Sequence, residues 1–252
     1  MAPWPFITIA GAGIGLLMGF FGVGGSSVAT PLLSLLGVPA LAAVASPLPA
    51  TIPSAISGAV PYLRSGEARP KAAGWSLLGA VPATIVGGLL SDKVGGDALL
   101  VASGVVLVVV GLRVILPIED EARDAGTRRR MNRPMLVAAS AGVGLFSGLL
   151  ANGGAFLLMP MYLLVFGLRM RQAVGTSLVV VAAMSVPTLL THWSLGHIDW
   201  SVSAALLLGQ LPGSVTGSHL SQRITGAGVV RRAFGRFLVV FGALFTIYRL
   251  TR

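Results

Sequence analysis

Long apolar stretches without a charged side chain dominate the chain. Residues 1–63 contain no Asp, Glu, Lys or Arg, and the same holds for Pro134–Leu168, Gln172–Ile198 and Trp200–Gln222. Each is long enough for the ~20 apolar residues that cross ~30 Å of hydrocarbon. A water-soluble domain of this size carries charge far more evenly, so the pattern predicts an all-α polytopic membrane protein. Full spans are expected near 41–63, 74–91, 98–117, 173–194, 201–221 and 231–250, with two further apolar segments, 5–37 and 134–167, that are interrupted.

The two interruptions are alike. Residues 22–27 read GVGGSS after the run GAGIGLLMGF, and residues 151–156 read ANGGAF after GVGLFSGLL; six residues past the second glycine of each stands a proline, Pro31 and Pro160. Gly37–Pro82 lies on Gly167–Pro212 at a constant offset of 130 without a gap, and the continued register pairs Ser46 with Thr176, Gly66 with Gly196, Gly79 with Gly209 and Gly87 with Gly217. A repeat on this scale determines the architecture. Two membrane repeats, 1–117 and 134–252, are expected, joined by the polar linker 118–133, IEDEARDAGTRRRMNR. The arm after each glycine pair is about 12 residues, ~18 Å at the helical rise, too short to cross. Each repeat therefore reads as a broken, re-entrant helical hairpin followed by three transmembrane helices.

Charge then orients the repeats. Lys and Arg in short loops favour the cytoplasm. With the 118–133 linker inside and each hairpin returning to its own side, 15 of the 18 Lys and Arg fall inside and Lys93, Arg249 and Arg252 outside. If each broken segment crosses once instead, the vote falls to 11 against 7. The repeats are thus expected to be inverted relative to each other, with the linker cytoplasmic. The +10 balance reports topology here and not a nucleic-acid surface. The N-terminus has no basic n-region and its apolar run outlasts a signal peptide, so no cleavage is expected.

Irregular backbone at membrane depth survives only where protein or a water-filled cavity satisfies its amides, so the two breaks are expected to meet near the midplane. Gly24, Gly25, Ser26 and Ser27 on one side, and Asn152, Gly153 and Gly154 on the other, would begin half-helices whose free N–H groups and positive dipole ends attract anions. Ser46, Thr51, Thr176, Ser177 and Gln210 are candidates for the walls of that site. Each has a plainer reading: the hydroxyls can bond back to their own helices, and Asn152 or Gln210 can bond a neighbouring helix. Gly15 with Gly19, Gly144 with Gly148, and Gly209, Gly213 and Gly217 read as close helix contacts. Trp4, Trp75, Trp193 and Trp200 fall at span ends, as an aromatic belt would place them.

The paired glycine-rich breaks with their prolines, Gly-Thr-Ser-Leu at 175–178 and Trp-x-x-Gly-x-Ile-Asp-Trp at 193–200 resemble the sulfite exporter TauE/SafE family of bacterial permeases. The resemblance covers both halves. It implies a secondary transporter, an exporter of sulfite or a related small sulfur-containing anion or sulfonate, in the bacterial plasma (inner) membrane. The first half departs from it, reading Ala45-Ser46-Pro47-Leu48 where the second has Gly175-Thr176-Ser177-Leu178, so the half-sites are chemically unequal.

Absences narrow the chemistry. All eight acids, Glu67, Asp92, Asp97, Glu119, Asp120, Glu121, Asp124 and Asp199, lie in loops or at span edges, so no carboxylate relay for a cation or proton pump is expected. Zero cysteines exclude disulfides and thiolate sites. Neither a cofactor nor a metal is expected, and no Gly-x-Ser-Gly element supports an intramembrane serine protease. The expected partners are a small anion and the bilayer, with a homo-oligomer left open. A passive anion channel, or a permease for a different organic anion, is the alternative on the same architecture.

Overall fold

Buried hydroxyls and exposed large apolar side chains set this chain apart from a water-soluble domain. In the computed structural model, which describes residues 4–22, 24–94, 104–105, 108–109, 111–112, 115, 132–150, 155–223 and 227–250, Ser26, Thr30, Ser54, Ser140, Thr176, Ser185 and Gln210 are buried, while Phe6, Ile9, Leu78, Leu190 and Leu208 are more than half exposed. An apolar exterior around a hydroxyl-rich interior suits lipid as the outer solvent. The expected span at 98–117 and the linker at 118–133 lie mostly outside the described residues.

Ten helices are described: α1 Trp4–Phe21, α2 Gly25–Leu35, α3 Ala40–Ala45, α4 Leu48–Arg64, α5 Pro70–Val94, α6 Arg133–Leu149, α7 Ala155–Pro160, α8 Met170–Ser194, α9 Trp200–Arg223 and α10 Ala227–Leu250. Trp4–Phe21, Ala40–Arg64, Pro70–Ser91 and Met170–Ser194 are long and apolar enough to cross a membrane. Helix α9 is as long, but Ser203, Gln210, Ser214, Ser218 and Ser221 dilute it, all on its buried side. Past Pro160 the chain widens to a π-turn over Met161–Val165, closed by the Phe166 N–H on the Met161 carbonyl at 3.3 Å.

Glycines set which helices meet. Helices α1 and α9 run parallel, and a Cβ added at Gly15 or Gly19 would overlap the carbonyls of Gln210 and Ser214. From the other side, Gly209 and Gly217 lie equally close to the Thr8 and Leu16 carbonyls. Helices α5 and α6 repeat the arrangement: Gly144 and Gly148 sit against the Ala80 and Thr84 carbonyls, and Gly79 and Gly87 against those of Val137 and Leu145. Every contact in the second set lies 129 or 130 positions from its counterpart in the first. Small residues at these crossings let the backbones approach where lipid supplies no hydrophobic drive to pair.

The remaining core forms around α4 and α8, which run antiparallel. Gly175 packs on the Tyr62 ring, and Gly58 faces Leu178 and Gly19. Trp193 and Trp200 meet edge to face at 5.6 Å at one end of the bundle, where the Trp4 indole donates to Ser201 Oγ at 3.0 Å. At the other end Arg133 lies 5.3 Å over the Trp75 ring. All four tryptophans are at least 37% exposed, as a belt at the two interfaces requires.

Candidate functional site

Helix α1 stops because Gly22 takes φ +69°, a backbone that side chains disfavour. The Gly22 N–H still closes onto the Met18 carbonyl, 2.8 Å away. Its own carbonyl accepts from Ser177 Oγ at 3.1 Å, a hydroxyl shared with the Val174 carbonyl at 2.9 Å. Tyr62 Oη donates to the Gly19 carbonyl at 3.0 Å. Since Gly19 lies against Gly58, six residues from the end of α4, α1 runs past the middle of the bundle before it breaks. The first residues of α2 come back to Gln210, halfway along α9.

Gly24 caps α2 with backbone alone, and no side chain accepts from the first turn. A helix start leaves N–H groups in need of acceptors. The Gln210 side chain lies directly against Gly25, at a distance that leaves no room for a Cβ. Its Nε2 donates to Met18 Sδ at 3.4 Å, whereas Oε1 is buried without a partner. Ser26 Oγ, Thr30 Oγ1 one turn along α2, and Ser54 Oγ on α4 are likewise buried and unpartnered. Ser214 Oγ, one turn past Gln210, donates to the Ser54 carbonyl at 2.6 Å. Buried polar atoms are rarely left unmatched, and the hydroxyls of Ser140, Ser147 and Ser185 share this state with those of Ser26, Thr30 and Ser54. Among the described residues no Asp, Glu, Lys or Arg is buried.

The other candidate residues have definite places. Ser46 and Thr176 each receive a loop N–H from the opposite half: Asp199 N–H donates to Ser46 Oγ at 2.9 Å, and Arg69 N–H to Thr176 Oγ1 at 3.0 Å. Ser203 Oγ adds a bond to the Ser46 carbonyl at 2.7 Å. Thr51 Oγ1 bonds back to the Pro47 carbonyl of its own helix at 2.9 Å. Ser177, Gln210, Gly24, Gly25 and Ser26 meet at the break. Ser27 lies in α2. Asn152, Gly153 and Gly154 lie outside the described residues. Tyr62, Ser54, Thr30 and Ser214 were not singled out from the sequence. For Tyr62 a signal existed, since the 130-residue offset pairs it with His192. That histidine, buried, sits with Nε2 3.3 Å from the Gly148 carbonyl and Nδ1 3.2 Å from His197 Nδ1.

Known proteins share this chain's pattern over nearly its full length. The family described as "Sulfite exporter TauE/SafE" matches residues 7–245. The chain is similar to the "Probable membrane transporter protein YjnA" of Bacillus subtilis, at 26% identity over 87% of this chain and 91% of that one. It is also similar to a "Probable membrane transporter protein" of Xylella fastidiosa strain 9a5c, at 28% identity over 96% and 95%. No solved structure matches it. A lipid-facing helical bundle, a broken helix ending in a polar interior and a family match spanning 7–245 agree, and the chain belongs to the sulfite exporter TauE/SafE family of membrane transporters.

Proposed function

We propose that the protein is a secondary transporter that exports sulfite, or a related small sulfur-containing anion or sulfonate, across the bacterial plasma membrane. The observation that carries this reading is the start of α2, capped by no side chain and set among the unpartnered Ser26, Thr30, Ser54 and Gln210 oxygens. Helix N-termini favour anions through their N–H groups and dipole, and a site of neutral dipoles releases what it binds. Gly24, Gly25, Ser26, Ser27 and Gln210 form one half-site, and Asn152, Gly153 and Gly154 the other. The relatives' names give no substrate, so the sulfur anion rests on the family's description.

Alternating access comes from two inverted repeats, 1–117 and 134–252, rocking about this site. Supporting this, the α1–α9 contacts recur in α6–α5 with the halves exchanged. Each repeat's first helix thus leans on the other repeat, as a two-fold relation demands. Arg64, Arg69, Arg133, Arg169, Arg171 and Arg223 all stand at helix ends on one side of the bundle. By the positive-inside rule that side, with the linker 118–133, is cytoplasmic.

The test is uptake of radiolabelled sulfite into proteoliposomes, with sulfate, thiosulfate and a sulfonate as competitors, under imposed pH gradients and membrane potentials. Saturable flux that a related sulfur anion competes and a gradient drives is expected. Flux that rises linearly with concentration would make the protein a channel, and flux of a different anion alone would move the substrate.

A further inference from the structure

A partly open groove of about 580 Å³ lies between helices α4 and α9 near their C-terminal ends. Val60, Pro61 and Val215 form its apolar length, with Ser57 beside them turned onto the Ser54 carbonyl; Arg64, Ser65, His219 and Gln222 close its end. The flanking surface is lipid-facing, with Ile56, Leu63 and Leu220 exposed beside it. The groove therefore runs from hydrocarbon depth to the level where helix ends and headgroups meet.

Its polar end is held in shape. Gln222 Nε2 donates to Ser65 Oγ at 3.4 Å, and Ser65 Oγ to the Tyr62 carbonyl at 3.3 Å. Arg171 Nη2 donates to the Gln222 carbonyl at 2.9 Å. His219 lies with Nδ1 2.8 Å from the Val215 carbonyl, so that nitrogen donates, and Nε2 donates to a phosphate oxygen only as the imidazolium. Arg64 is exposed and forms no ion pair among the described residues. Arg171 reaches this end through the Gln222 carbonyl, Arg223 follows Gln222 in the chain, and Glu67 is the one acid of the adjoining loop.

We propose that this groove binds one anionic phospholipid, an acyl chain along Val60, Pro61 and Val215 and the headgroup phosphate at Arg64, Ser65, His219 and Gln222. The chemistry demands both ends: an apolar wall has no use for a small hydrophilic anion, and a cationic end has none for a neutral lipid. Basic pockets between membrane helices on the cytoplasmic side are suited to acidic headgroups. The groove is separate from the half-site at Gly25, and the inference stands whether or not sulfite is the substrate. It has a structural consequence, because the groove begins one turn beyond the Ser54–Ser214 bond. A lipid there braces α4 against α9 at the end where α1 breaks.

Native mass spectrometry of the detergent-purified protein, titrated with phosphatidylglycerol, phosphatidylethanolamine or inorganic phosphate, tests this. Phosphatidylglycerol is expected to be retained in one copy at the lowest concentration and to raise the unfolding temperature. Arg64→Gln is expected to weaken it about fivefold, the effect of one cation at a charged headgroup. Val215→Trp, which fills the apolar length and keeps every cation, is expected to remove it, while Arg133→Gln, on the same side but outside the groove, leaves it unchanged. Equal retention of phosphatidylethanolamine, a shift produced by phosphate alone, or unchanged binding in both groove variants would overturn the proposal.

Discussion

Tyr62 and His192, 130 positions apart, do the same thing in two places. Tyr62 Oη donates to the Gly19 carbonyl at 3.0 Å, and His192 Nε2 lies 3.3 Å from the carbonyl of Gly148, the glycine 129 positions after Gly19. Each ties the last turn of a broken helix to a continuous one. Tyr62→Phe is expected to leave the Gly19 carbonyl without its donor, at a cost of about 1–3 kcal/mol for an unmet buried group. His192→Phe is expected to cost a similar amount. Thermal unfolding of each variant in detergent checks this, and an unchanged midpoint in both would mean that the breaks are held by something else.

The Gly25–Gln210 contact makes a different prediction. Gly25→Val is expected to abolish transport while the protein still inserts in the membrane, since Gln210 occupies the space any side chain would need. Gln210→Ala in the same chain removes that overlap. Stability lost in Gly25→Val is therefore expected to recover in the double variant while transport does not, if the Gln210 amide belongs to the proposed half-site. Full transport in Gly25→Val would refute the half-helix reading.

Gly13 and Gly15 are two residues apart and separate packing from composition. A Cβ at Gly13 meets nothing within 4 Å, whereas one at Gly15 overlaps the Gln210 carbonyl. The same contrast holds for Gly142 and Gly144. Alanine at Gly15 or Gly144 is expected to cut the yield of monodisperse protein severalfold, and alanine at Gly13 or Gly142 to leave it unchanged, as size-exclusion profiles from equal membranes would show.

Ser46→Ala and Thr176→Val distinguish a wall from a clamp. Both hydroxyls accept a loop N–H from the opposite half, so their loss is expected to destabilise the fold by about 1–3 kcal/mol and to leave substrate competition unaltered. A changed competitor ranking at normal stability would place both residues in the substrate site.

The chain has no cysteine, which makes topology directly measurable. Thr127→Cys in the linker is expected to react with a membrane-impermeant maleimide only from the cytoplasmic face. Ser194→Cys, at the end of α8, is expected to react only from the opposite face.

Much of the helical order was legible from charge spacing alone. The expected spans at 74–91, 173–194 and 201–221 sit inside α5, α8 and α9, and the helix expected to break at the first glycine pair does so at Gly22–Gly24. Depth was harder to read. The spacing said that α1 would break but not how far it would run first: Gly11, Gly15 and Gly19 let it follow α9 until Gly19 lies against Gly58. Partner choice was harder still. The offset aligns Ser46 with Thr176 but cannot say that each receives an N–H from a loop of the other half, since that depends on which helices cross. Thr51 illustrates the local ambiguity: its buried hydroxyl donates to the Pro47 carbonyl of its own helix, the plainer of the two readings the sequence allowed, and keeps its acceptor lone pairs.

The pairing of α1 with α9 also bears on biosynthesis. About 200 residues separate the end of one from the end of the other, and at ~5–20 residues per second the ribosome needs on the order of 10–40 s to make them. During that interval a finished first helix waits in the bilayer with its glycine face unmatched. The same face is repeated on α6, whose partner α5 is already present when it emerges. Assembly is thus asymmetric in time although the contacts are symmetric in space: α6 docks at once, and α1 docks only when the chain is nearly complete.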